Sequence, residues 1–175
     1  MPVSMSSATL PVLGQILGAL EGVIGKAEAH AAARKIAPDT LLFARLFPDM
    51  FHFTKQVQVS CDFAMKLCAR LTGIEPVKLE QTEKSFAELK ALVARAGAYV
   101  RAADAATIDS RADTVIRFPI GERTIEMTGQ DYAFRFAMPN FFFHATTAYA
   151  ILRENGVELS KPDYIGAMID CSQSI

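Results

Sequence analysis

The chain has 175 residues, enough for one domain with a sizeable core. Apolar residues make up 51% and the formal net charge is −1, which argues against a disordered chain and against a basic nucleic-acid-binding module. Tryptophan is absent, and twelve phenylalanines supply most of the aromatic volume.

The N-terminal run MPVSMSSATLPVLGQILGALEGVIGKA is apolar but periodic, and no positive segment precedes it. It is therefore not read as a signal peptide, and no stretch is read as long and apolar enough to span a bilayer. A helix is expected from Ser6–Ser7 to about Ala33, with Pro11 tolerated in its first turn. Leu10, Leu13, Leu17, Leu20, Ile24 and Ala27 recur at alternating spacings of three and four, forming one apolar stripe. Gly14, Gly18 and Gly22 recur every four residues and leave room for a close neighbour, in this chain or in a second copy. Arg34–Pro48 is a connector in which Pro38-Asp39-Thr40 caps a short turn carrying Leu41, Leu42 and Leu46.

A second helix is expected over about Asp49–Leu71, opened by Pro48-Asp49 and closed by Thr72-Gly73. Its inner stripe is Phe53, Val57, Ser60, Cys61, Ala64, Cys68 and Leu71, flanked by Gln56 and Phe63. Lys55, Asp62, Lys66 and Arg70 lie toward the outside. Cys61 and Cys68 are about 10 Å apart at a rise of 1.5 Å per residue, too far for a disulfide. With Cys171 they read as reduced thiols of a cytoplasmic protein. A third helix runs from about Thr82 to Ala103, with Thr82 and Ser85 as alternative caps. After a loop over Asp104–Ala112, the alternating segments Thr114–Pro119 and Glu122–Thr128 predict a small hairpin turning at Pro119–Gly121. The tail from Val157 reads as coil, with a turn at Lys161-Pro162-Asp163-Tyr164.

Between hairpin and tail lies Met127–Gly156, a long predicted helix started by the Thr128-x-x-Asp131 signal. Pro139 lies inside it, so a kink or a local widening is expected there. At 100° per residue the face centred on His144 also holds Ala133, Ala137, Asn140, Ala148 and Ile151, while Arg135 and Arg153 mark the outside. An inward imidazole needs a partner for its ring nitrogens, and Gln56, Asn140 or a backbone carbonyl can serve. Asn140 can also satisfy carbonyls freed by Pro139. Phe141, Phe142 and Phe143 point in three directions, as core plus one interface contact.

Two stretches, ARLFPDMFHFTKQVQVSCDFA (44–64) and TGQDYAFRFAMPNFFFHATTAYAILRENGVELSKPDYIG (128–166), resemble the DinB/YfiT-like superfamily, in a bacterial branch without an assigned activity. The resemblance covers nearly the whole chain. It implies a single all-α domain over 1–175, an up-down-down-up four-helix bundle with a small β-hairpin before the last long helix, and often a dimer. It also implies a divalent metal such as zinc, nickel or manganese, held by one histidine of the second helix and an H-x-x-x-H pair on the fourth. Here His144 matches one position of the pair, but Ala148 and Asn140 stand at the two possible partner positions. On the second helix His52 is the sole candidate, and the helical wheel turns it outward.

No cofactor is therefore expected, and any metal would rest on His144 with His52. The ligand-pocket candidates are His144, Asn140, Gln56, Tyr149 and Arg153. Three readings follow. One is a cytoplasmic homodimer, enzymatic or not, with a small-molecule pocket at His144. The second is a non-catalytic dimer with a vestigial site. The third, a thiol-dependent transferase or isomerase, is implied by the superfamily alone.

Overall fold

A computed structural model describes residues 3–166, so the expectation for Cys171 lies outside the described residues. The chain is mostly helical, in the order α1 (Met5–Arg34), α2 (Pro38–Leu42), α3 (Phe53–Thr72), α4 (Phe86–Arg101) and α5 (Ala105–Ser110). Next come β1 (Val115–Ile120), β2 (Arg123–Thr128), α6 (Gly129–Asp131), a π-helical segment (Tyr132–Ala137), α7 (Met138–Glu154) and α8 (Lys161–Ile165). The long helices enclose the core in a closed sequence of contacts. α1 packs on α4, α4 on α3, α3 on α7, and α7 returns to α1.

Ser4 caps α1 in a capping box with Ser7. Helix α1 begins before the expected Ser6–Ser7 start, so Pro11 lies inside the helix rather than in its first turn. The apolar stripe faces inward: Leu13, Leu17, Leu20, Ile24 and Ala27 are buried, and Leu10 is half-buried. The expectation that no stretch could span a bilayer needs correction. By length and composition α1 meets that criterion, with a mean hydropathy of 1.4 over its most apolar window. In the fold this helix is a wall of the core.

In the connector, Leu41 and Leu42 are buried, whereas Leu46 is exposed. Helix α3 begins four residues later than Asp49, and its cap is His52, whose Nδ1 accepts from the Lys55 N–H at 3.4 Å. All seven residues of the predicted inner stripe of α3 are buried. Burial pushes the Cys61 thiol well above its ordinary value and the Cys68 thiol up to about 12, so both remain protonated. Ser85, not Thr82, caps α4. The expected loop at Asp104–Ala112 contains α5, capped by Asp104.

The hairpin forms, with Ile120 opposite Arg123, so its turn is Gly121-Glu122 rather than Pro119–Gly121. Gly121 takes φ +59, the left-handed conformation that a two-residue turn needs. Phe118 and Ile116 point to the core. The predicted tail turn is a short helix, α8, tied to α1 by the Lys26–Asp163 ion pair at 2.6 Å and by Gln15 Nε2 donating to the Ile165 carbonyl at 2.9 Å.

Thr128 starts the last long helical stretch, its hydroxyl accepting from the Asp131 N–H. The disturbance expected at Pro139 takes the form of a widening. The π segment lies just before it, with the Met138 N–H reaching back five residues to the Ala133 carbonyl. The extra room lets the chain pass a residue that has no N–H to donate.

Candidate functional site

His144 sits on α7 facing the first turns of α3, and only 8% of it is exposed. Its Nδ1 lies 2.6 Å from Gln56 Oε1. Gln56 is itself buried, and its Nε2 donates to the Phe51 carbonyl at 3.2 Å. These contacts fix the imidazole tautomer. A carbonyl can only accept, so the Gln56 amide must turn its NH₂ toward Phe51 and its oxygen toward His144. That oxygen also only accepts, so Nδ1 carries the proton. Nε2 is then the lone-pair nitrogen. It has no hydrogen-bond partner among the described residues and keeps some contact with solvent.

Aromatic rings surround the imidazole. Phe63 of α3 and Phe51 of the preceding loop lie nearly parallel to it, with centroids at 5.9 and 6.3 Å. Phe143 meets it edge-on at 5.2 Å. These separations suit stacked and T-shaped pairs. Phe51 and Phe143 are themselves 50% and 55% exposed, so the site has an apolar rim open to solvent.

Burial holds the pKa of His144 below the ordinary histidine value. His52 is lowered too, first by burial and then by Arg45 and Lys55. A neutral His52 is what its cap requires, because Nδ1 must be free to accept. Both groups have folded pKa values below those of the unfolded chain, so the unfolded chain binds more protons once the pH drops below about 6.5. Stability is therefore expected to be full above that pH and to fall as the pH drops through it toward the folded values. Urea midpoints at pH 7.5, 6.5 and 5.5 check this. The fall should be smaller in His52→Asn, which keeps a capping side chain. A flat profile across that range would contradict the assignment.

The other predicted residues divide. Gln56 is the partner of His144. Asn140 is half-buried one turn before His144, and its Nδ2 donates to the Phe136 carbonyl at 2.7 Å, which commits it to the backbone beside Pro139. Tyr149 is not brought to the imidazole. It faces α1 and α8, with its ring 5.8 Å from that of Tyr164. Arg153 is exposed and joins neither group.

A metal does not fit the residues present. His52 has its ring 5.2 Å from that of Phe43 and its Nδ1 engaged at the helix cap. Asn140 is turned to the backbone, and position 148 is alanine. Among the described residues no three His, Cys, Asp or Glu side chains converge in a metal-holding group.

Sequence reasoning missed two features. Phe51 fell within the expected second helix but lies in the loop before α3, where its ring and its carbonyl both shape the site. Tyr132 is fully buried, and its hydroxyl accepts from Arg70 Nη1 at 2.9 Å. Arg70, expected outside, is thereby drawn beneath the hairpin, its guanidinium 4.7 Å from the Phe118 ring.

Fold and site together define a small helical protein of the DinB-like class in which the histidine of the last long helix is held by a glutamine. The chain belongs to the family described as Domain of unknown function (DUF1993), which matches residues 5–165. It is also similar to the crystal structure of a DinB family member protein from Shewanella denitrificans. That likeness has 37% identity over 94% of this chain and 93% of that one, with a TM-score of 0.85. Comparison with curated proteins finds no match.

Proposed function

We propose that the chain is an up-down-down-up helical bundle, working as a cytoplasmic homodimer, that binds a small molecule through His144. One observation carries the ligand reading: a neutral imidazole whose Nδ1 proton is committed to Gln56, leaving Nε2 as an acceptor inside an aromatic rim. The matching ligand has an N–H or O–H donor on an apolar or aromatic body. A neutral imidazole acceptor also suits a general base, which is the enzymatic form of the same reading. The closed packing of α1, α4, α3 and α7 supports the bundle topology. Gly14, Gly18 and Gly22 support the dimer, since a Cβ added at any of them would meet nothing within 4 Å among the described residues.

A small-molecule screen read on the imidazole nitrogen resonances tests this. Compounds with a donor group should shift the Nε2 resonance of His144, and His144→Ala should abolish their binding. Added zinc, nickel or manganese should leave the melting temperature unchanged. If no compound perturbs His144, while His144→Ala lowers stability alone, the imidazole is a core residue and the ligand reading is wrong.

A further inference from the structure

At the other end of α3 from Gln56, a cleft of about 270 Å³ opens between the helix terminus and β1. Three guanidinium groups line it: Arg70, Arg111 and Arg117. Arg117 is already paired, with Nε 2.6 Å from Glu126 Oε1. The other two have no carboxylate within ion-pair distance among the described residues. Arg70 gives one hydrogen bond to Tyr132 and otherwise rests on aromatic rings, which hold it in place without neutralising it. Arg111 makes no side-chain hydrogen bond among the described residues, and its Nε is buried without a partner.

A buried donor on a group that is always charged is costly to leave unmade. The backbone around Arg111 is nonetheless firmly placed. The Gly129 N–H donates to the Thr114 carbonyl at 2.8 Å, and the Gln130 N–H donates to the Ala112 carbonyl at 2.9 Å. The guanidinium itself lies against Gly73, where an added Cβ would stand 3.3 Å from Cζ. Glu75, a carboxylate without an ion-pair partner among the described residues, also lines the cleft, and the carbonyl end of α3 adds partial negative charge. Two guanidinium charges therefore stand against one carboxylate and a helix terminus.

We infer that this cleft is a binding site for a small oxyanion, the phosphate or carboxylate group of a ligand, held by Arg111 and Arg70. Planar guanidinium groups match both kinds of oxygen pair, and an anion in the cleft would supply the counter-charge that Arg70 and Arg111 lack among the described residues. Glu75 competes with the ligand and sets its affinity. The site is separate from His144, and the two succeed or fail independently.

Calorimetric titration with inorganic phosphate and, separately, with acetate tests the inference, at an ionic strength held constant with sodium chloride. At least one probe should bind saturably with a Kd of about 1 mM or below. Saturation by phosphate alone assigns a phosphate ligand, and saturation by acetate alone a carboxylate. Arg111→Gln should weaken binding about tenfold, the scale of one charge-assisted contact. Glu75→Gln should tighten it. Because Glu75 is exposed, that variant keeps the fold and decides the matter if Arg111→Gln does not fold. Failure of both probes to saturate by about 10 mM overturns the inference. So does an affinity that Glu75→Gln leaves unchanged or lowers.

Discussion

Gly129→Ala is expected to destabilise the fold by about 3 kcal/mol, near the upper end of single-residue effects. A Cβ at position 129 would lie 2.2 Å from the Arg111 carbonyl oxygen, well inside contact distance. The obstacle is backbone, so no side chain can rotate away. Nor can the carbonyl retreat freely, because Ala112 and Thr114 on the same segment accept from Gln130 and Gly129. Relief requires α6 and the segment before the hairpin to separate, losing those bonds. For a chain of this size the melting temperature should fall by roughly 6–12 °C. A loss under about 1 kcal/mol would show that the segment yields easily and that its bonds hold little.

Gln56→Leu ranks next. It removes the acceptor for His144 Nδ1–H and the donor to the Phe51 carbonyl in one step. A buried group left without a partner costs about 1–3 kcal/mol, and the part-buried Phe51 carbonyl less, so a combined loss of about 2–4 kcal/mol is expected by denaturant titration. The imidazole should also lose its fixed tautomer, which nitrogen resonances report directly. Gln56→Glu distinguishes the two contacts. A carboxylate still accepts from Nδ1 but cannot donate to Phe51, and it favours the charged imidazole. The pKa of His144 should then rise while part of the stability loss remains. An unchanged tautomer in Gln56→Leu would show that Gln56 does not set it.

Much of this was legible in the sequence because helices repeat. The stripes of the first two long helices came from spacings of three and four, and all their members are buried except the half-buried Leu10. His144 pointed inward because Ala133, Ala137, Ala148 and Ile151 share its face, and all four are buried. Gln56 was one of three partners open to it.

What was illegible came from departures from the regular repeat. Counting back from His144 at a constant 100° per residue puts Tyr132 about 120° away from the imidazole's face. The π segment turns less per residue, so the count drifts and Tyr132 enters the core. Arg70 is half-buried because its guanidinium donates to the Tyr132 hydroxyl and rests on the Phe118 ring. Phe51 lies outside any helix, where no period applies. The early placement of the α3 start at Asp49 has a similar cause: Asp is a common cap and histidine is not.

The pair that defines the site joins residues 88 positions apart. A ribosome adding about 5–20 residues per second takes roughly 4–18 s to travel from Gln56 to His144. Through that interval the α3 face that will meet α7 is without its covering helix, and the Gln56 amide is without its imidazole. The site is completed only once α7 has been made. A chain stalled or cut before α7 would leave Phe63 and Gln56 exposed as a surface for chaperones or for other unfinished chains.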